Sequence, residues 1–414
     1  MSPVSERPAG ARAMCVWLGT LASWRPGFIG RLVREHRTMA GLLQCSPGEI
    51  VAFAARPGRG GRAPSDGGGG GTPAERRSDA QHFVAVLREG PEACLSRAER
   101  RPPGDVVVAW SEALYPDQLR DLGDPPLCLF VRGGADGATV RARLSAVADT
   151  PLVAVVGTRR PSSYGQDMAR LLGGGLARAG VIVVSGLALG IDAVAQRAAI
   201  EAAAPLSPAT VAVLGCGADV AYPRSNAHLY ARVGASGLIV SEFTWAVPAR
   251  SWRFPARNRV MAALGRGVVL VEGAERSGAR ITAGHAADLG RDVLCVPGEA
   301  GRKLSQAPNR LLDDGARVCE SVADVLKVIG VADAGPGAGS RGSAGGLLPA
   351  LILDHGSASV RDVLEALQEA SLTIDELAAR CGLPVAKVAA AVSDLEVEGL
   401  ARRVEGGRYR LLRA

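Results

Sequence analysis

Three short stretches carry side chains suited to holding a polyanion. The first is Val155–Gly165, VVGTRRPSSYG, where an apolar run stops at a glycine, two arginines follow, and two serines precede a helical pattern. Gly157 allows close backbone approach, and Arg159 or Arg160 offers a fork that holds a phosphate bidentately. Ser162 or Ser163 can cap the next helix, whose first amides favour an anion. The second stretch is Trp252–Val260, WRFPARNRV, which interleaves Trp252 and Phe254 with Arg253, Arg257 and Arg259. Pro255 suits a helix start that would set Asn258 and the arginines along one side. Cationic forks beside aromatic faces suit a single-stranded nucleic acid, because stacking contributes about 1 to 3 kcal/mol per base without sequence preference. The alternative is that both rings are core, although aromatic residues make up only 4% of the chain. The third stretch, GAERSGARITAG from Gly273 to Gly284, places Ser277, Gly278 and Thr282 after Glu272, where they suit an anion or simply cap a helix.

What these stretches lack bounds the chemistry. The first has no third glycine for dinucleotide packing and no lysine of the G-x-x-x-x-G-K-[ST] type. No acidic residue ends the second apolar run to grip a ribose: in SGLALGID, Asp192 falls inside the next helix. No nucleotide cofactor is therefore expected. Ser185, Ser241 and Ser277 sit in no G-x-S-x-G elbow, and the five histidines pair with nothing recognisable. Glu242 and Glu272 close two apolar runs and are candidates for an acid and base, or for anchors of nearby arginines; the anchoring role is the expected one.

The elements that must position these residues follow from rhythm. Short β-branched runs at 152–157, 181–186, 210–215, 238–242, 268–273 and 293–298 alternate with helical segments. Continuous apolar strands of this kind indicate an α/β fold, a Rossmann-like, mostly parallel sheet with helices on both faces. Such a sheet binds ligands at the carboxyl ends of its strands, which here carry Gly157, Ser185 and Gly186, Gly215, Glu242 and Glu272.

Two low-complexity segments, Arg56–Arg77 and Ala332–Gly346, are expected to be mobile. They divide the chain into a small helical region at 1–100 with a Gly-rich insertion at 56–80, a Rossmann-like domain at 104–330, a linker at 331–347 and a C-terminal domain at 348–414. The last reads as three amphipathic helices and a hairpin turning at Gly406-Gly407, a winged helix-turn-helix. It holds eight Lys/Arg against ten Asp/Glu, so the rest of the chain carries +9 of a net +7. Lys387 faces Asp394, Glu396 and Glu398 on the third helix, which favours a protein contact over DNA reading, while Arg402, Arg403, Arg408 and Arg410 keep DNA open. Eight scattered cysteines without C-x-x-C read as reduced and mostly buried, in a cytosolic protein, and no apolar stretch is long enough to span a bilayer.

Taken in order, the motifs resemble those of the DprA/Smf DNA-processing family. They are YPDQLRDLGDPPLCLFVRG (Tyr115–Gly133), VAVVGTRRPSSYG (Val153–Gly165), VVSGLALGIDAVAQRAAI (Val183–Ile200), VAVLGCGADVAYPRSNAHLY (Val211–Tyr230), FPARNRVMAALGRGVVLVEGAERSGARITA (Phe254–Ala283) and GRDVLCVPG (Gly290–Gly298). The resemblance implies a homodimeric, non-enzymatic protein that binds and protects single-stranded DNA and helps load the recombinase RecA in natural transformation or recombination. It implies DNA contacts from Gly157, Thr158 and Arg159, from Gly186, from Phe254, Arg257, Asn258 and Arg259, and from Ser277, Gly278 and Thr282. Gln196 departs from the pattern, standing where a histidine usually follows G-I-D, and so do Ala307–Ala316 and the Gly-rich insertion. The competing functions are a Rossmann-like nucleotide hydrolase acting through Glu272 or Glu242, and a winged-helix transcription regulator.

Overall fold

The computed structural model describes residues 10–24, 28–36, 39–55, 72–203, 208–331, 358–397 and 401–411. The chain divides into two compact units, Met1–Asp333 and Ala334–Ala414.

The larger unit is built on a nine-stranded sheet: β1 (Asp105–Ala109), β2 (Cys128–Arg132), β3 (Leu152–Val156), β4 (Ile182–Ser185), β5 (Thr210–Val213), β6 (Leu238–Ser241), β7 (Gly267–Leu270), β8 (Asp292–Cys295) and β9 (Arg317–Val318). Their order is β1-β2-β6-β5-β4-β3-β7-β8-β9. β2 pairs antiparallel with β1 and with β6, and all other pairings are parallel. From β5 to β9 this is the doubly wound order, in which the chain reverses direction across the sheet between β3 and β7, and ligands bind such sheets at that reversal. The six apolar runs are all strands; β1, β2 and β9 lie outside the regular rhythm.

Alternation within the strands builds the layers. Val153 and Val155 of β3 face a core shared with the helices Ser163–Arg178, Ile191–Ala202 and Val322–Val328. Ala154 and Val156 face the opposite core, under the helices Arg253–Leu264 and Gly278–Asp288. At the other end of the sheet, Val107 and Phe130 pack under the N-terminal helices.

The apolar stretch Ala13–Trp24 lies in the helix Gly10–Trp24, where ten of fifteen residues are buried. Trp17 donates its indole N–H to the Val86 carbonyl (2.7 Å), and the helix packs so closely on β2 that a methyl on Gly19 would collide with Cys128 Sγ. The expectation of a mobile segment through Arg77 is corrected at its end. Thr72 caps the helix Pro73–Glu89, Pro73 stands in its first turn, and Glu75 returns the bond to the Thr72 amide, a reciprocal cap that starts the helix directly after the glycines. Residues 56–71 and the linker 332–346 lie outside the described residues. All eight cysteines are free thiols, seven of them buried. Among the described residues no helix is long and apolar enough to cross a membrane.

The smaller unit holds the helices Ala358–Glu369, Ile374–Cys381 and Val385–Val397, followed by antiparallel strands Ala401–Arg403 and Tyr409–Leu411. Gly406 and Gly407 turn the hairpin with φ of 79° and 71°, so two glycines are needed there. This is a winged helix. Arg408 of the wing is held by Glu376 (2.7 Å) and the Ser371 carbonyl.

Candidate nucleic-acid interface

The loop after β3 lies across the reversal point. A methyl on Gly157 would sit 2.6 Å from Ile191 Cγ1 and 3.0 Å from the Glu272 carbonyl, so only glycine lets this turn pass between two strand ends. The Thr158 amide donates to the Glu272 carbonyl (2.7 Å), and the Thr158 carbonyl accepts from the Ile191 amide (3.2 Å). Thr158 therefore fixes backbone through its peptide groups. Arg159 and Arg160 project outward and are exposed, and no described carboxylate pairs with Arg159.

Ser162 caps the helix Ser163–Arg178 by accepting from the Gly165 amide (3.1 Å). The anion at this helix N-terminus is internal: Glu272 accepts from the Ser162 amide (2.9 Å) and from the Ser162 hydroxyl. Of the two carboxylates expected to anchor arginines, Glu242 does so, accepting from both Arg259 terminal nitrogens at 2.7 and 2.8 Å. Glu272 does not; its partner is the helix cap.

The loop after β4 is clamped from three sides. Asp192 accepts from the Gly186 amide (3.1 Å), Gln196 accepts from the Leu187 amide (3.1 Å), and Asn226 donates to the Leu187 and Ala188 carbonyls. These bonds hold Leu187 at a φ of 55°, a conformation that a side-chain-bearing residue rarely adopts. The departure at Gln196 thus places an uncharged amide in a buried structural clamp, where it also donates to Thr210 Oγ1 (3.1 Å). Gly190 then packs against the Thr158 carbonyl, so the second loop buttresses the first.

The WRFPARNRV stretch forms the start of the helix Arg253–Leu264, which begins two residues ahead of Pro255. Its arginines do not share one exposed side. Arg253 is 0% exposed, enclosed by Trp24, Phe243 and Trp252, and donates to the Pro248 and Ser23 carbonyls. Burial pulls its pKa down to about 10, with Asp79 opposing. It ties the N-terminal helices to the sheet.

Arg257 is 5% exposed, bonded to the Val213 carbonyl at the end of β5 and pressed against Gly186, where any side chain would overlap its guanidinium. Burial lowers its pKa, opposed by Asp192; burial raises the Asp192 carboxyl, opposed by Arg257. Asn258 is buried and donates to the Gly278 carbonyl (3.1 Å), joining two helix starts. Arg259 is held by Glu242 and by Asp124 (3.1 Å). Burial alone would lower its pKa, but these two carboxylates outweigh it and hold it high. The expectation that these arginines stand together as phosphate forks is not matched by their surroundings: Arg253, Arg257 and Arg259 each pack or pair inside the protein.

Phe254 differs from its neighbours. It is half-buried, reaching back over the end of β5, where a methyl on Gly215 would lie 2.8 Å from its ring. Its face stacks on Tyr222, with centroids 5.4 Å apart and planes 28° apart, and Arg159 Cζ lies 5.7 Å from its centroid. Tyr222 is 40% exposed, and Arg224 beside it is exposed. Sequence reasoning gave neither of these two a role. The signal was present in AYPRSN, an aromatic two residues from an arginine in the loop that follows the strand-end Gly215.

Ser277, Gly278 and Thr282 lie at the third loop. Gly278 is exposed, a methyl there would meet open space, and Arg276 is exposed beside it. Ser277 does not cap its helix by side chain, and Thr282 is buried within it. The carboxyl edge of the sheet thus presents a pair of stacked rings, an arginine that leans on Phe254 and has no carboxylate partner among the described residues, and further exposed arginines from the loops after β3, β5 and β7.

Comparison with known proteins gives this chain relatives. The family model described as DNA recombination-mediator protein A matches residues 106–330, and that of the DprA winged helix domain matches 352–407. A putative DNA processing protein DprA from Mycobacterium tuberculosis is 39% identical over 298 residues, 72% of each chain. Protein Smf of Escherichia coli is 36% identical over 341 residues, covering 81% of this chain and 84% of that one. The X-ray structure of DNA processing protein A from Streptococcus pneumoniae superposes with a TM-score of 0.58 at 28% identity, covering 78% of this chain and 98% of that chain.

Proposed function

This chain belongs to the DNA recombination-mediator protein A family, and from that premise we propose that the carboxyl edge of its sheet binds single-stranded DNA without sequence preference. The observation that carries the reading is the cluster of Arg159, Phe254 and Tyr222. A base stacks on an exposed aromatic face whatever its identity, and a neighbouring unpaired guanidinium takes the phosphate of the same strand. A duplex hides its base faces, so this geometry favours single strands.

Within the proposal Arg159 is the phosphate contact, with Gly157 and Thr158 shaping its loop, and Gly278 opens the third loop beside Ser277 and Thr282. Gly186, Arg257, Asn258 and Arg259 act from beneath by fixing the strand ends. We extend the reading to a non-enzymatic, cytoplasmic homodimer that shields single strands and helps deliver them to RecA. Its parts are a helical region at 1–100, the sheet domain at 104–330, a linker and the winged helix at 348–414. The hydrolase alternative needs a carboxylate free to act in the crevice, and the oxygens of Glu272 and Glu242 already accept bonds from Ser162 and Arg259.

The test is a titration of the full chain with single-stranded and duplex DNA of equal length at two salt concentrations. Preference for the single strand and affinity that falls steeply with salt are expected. Equal affinity for both forms, or salt-independent binding, would refute the proposal.

A further inference from the structure

The place where a doubly wound sheet usually receives a nucleotide phosphate is the N-terminus of the helix that follows the strand at the reversal point. In this protein that helix is Ser163–Arg178, and its N-terminus is already occupied by a carboxylate of the chain itself. Glu272 lies two residues past the end of β7, on the far side of the reversal. It is 6% exposed and accepts from the Ser162 amide and hydroxyl. Two glycines make room for this arrangement. A side chain at Gly165 would overlap Glu272 Oε2, and one at Gly157 would crowd the Glu272 carbonyl, which holds the Thr158 amide.

We propose that Glu272 is a specificity-determining residue: its carboxylate seals the mononucleotide-phosphate position of the sheet, so that free nucleotides cannot enter beside Arg159 and compete with a DNA strand. The physical basis is charge and volume together. A phosphate approaching Ser162 would meet a negative charge that already holds the Ser162 amide and hydroxyl, in the space beside Gly165 that the carboxylate fills. A strand of DNA needs none of those donors, because its phosphate meets Arg159 outside and its bases meet Phe254 and Tyr222. The inference builds on the single-strand reading for its meaning, but the sealed position can be probed alone.

The experiment uses the full chain and three variants, Glu272→Ala, Glu272→Ser and Glu272→Gln, each checked for folding by its melting curve. Inorganic phosphate and a nucleoside monophosphate are titrated by calorimetry, and each is then used as a competitor against a labelled single strand. The alanine variant frees the Ser162 donors and the space, and it should bind phosphate at least about tenfold more tightly than the wild type, as an open helix N-terminus does. Its melting temperature should rise with phosphate while that of the wild type does not. Its DNA binding should become sensitive to the monophosphate. The glutamine variant keeps the volume and should stay closed. If the alanine variant fails to fold, the serine variant, whose hydroxyl can still accept from Ser162, carries the same comparison. A folded alanine or serine variant with wild-type phosphate affinity overturns the inference, as does a wild type that binds phosphate equally well. Failure of the wild type to bind single strands would instead sink the proposed function and leave the phosphate comparison readable.

Discussion

Replacing Arg159 by alanine separates the two parts of the proposed platform. The guanidinium is exposed and has no carboxylate partner among the described residues, so its removal should change folding stability by no more than about 0.5 kcal/mol. Binding should suffer much more. One charge-assisted phosphate contact is worth about 1.5 to 3 kcal/mol. Its loss corresponds to roughly 10- to 150-fold weaker binding. Because one phosphate contact is removed, the slope of log affinity against log salt should flatten by about 0.7. Phe254→Ala provides the contrast: stacking is lost at about 1 to 3 kcal/mol while the salt slope stays that of the wild type. Fluorescence anisotropy with a labelled single strand at four salt concentrations reads both quantities. An Arg159→Ala slope equal to the wild type, or a Phe254→Ala variant that flattens it, would refute the division of labour.

Arg257→Met should behave as a core change: buried against Gly186 and the Val213 carbonyl, its loss should cost about 3 kcal/mol in chemical denaturation and weaken DNA binding with the salt slope unchanged. Gly173→Ala places a methyl into the Ala195 backbone where two helices touch, and should lower stability by about 1 to 3 kcal/mol in the same assay. In the winged helix, Thr373 caps Ile374–Cys381 and Glu376 returns the bond. Thr373→Ala should cost about 1 kcal/mol, seen as faster amide exchange in that helix. The Glu376 pKa is lowered from 4.5, first by the Thr373 amide, with burial opposing and Arg408 adding to the lowering. A lowered carboxylate stabilises the folded state above its unfolded pKa, so this contribution is lost as pH falls below about 4.5, and exchange should quicken there.

Much of the fold was legible because its determinants are local. Six β-branched runs spaced by helical segments specify a parallel sheet wherever they sit, since a strand buried on both faces needs nothing else. The winged helix was readable for the same reason, from three amphipathic stretches and a Gly-Gly turn. β1 and β2 escaped the rhythm because they are joined through an irregular segment with a short 3-10 turn at Asp117–Asp121, not through a full helix. The first turn of Pro73–Glu89 escaped because Thr72 and Glu75 were read as part of a glycine-rich tract, although T-x-x-E is a helix start.

Composition and spacing by themselves set the expected kind of site: Gly157 and Arg159 just past a strand end and Phe254 at a helix start, with no lysine or ribose-binding acid, are what a polymer phosphate would need. Which arginine is available was decided only by the tertiary structure. Arg159, Arg253, Arg257 and Arg259 look alike in sequence, yet Arg253 lies among three rings, Arg257 under Gly186 and Arg259 against Glu242 and Asp124. The same holds for Glu272, which reads as a strand-end carboxylate and becomes the anion of another element's helix. Charge is a property of a side chain, but availability depends on partners a hundred residues away, brought within hydrogen-bonding distance by the packing of the sheet and its helices.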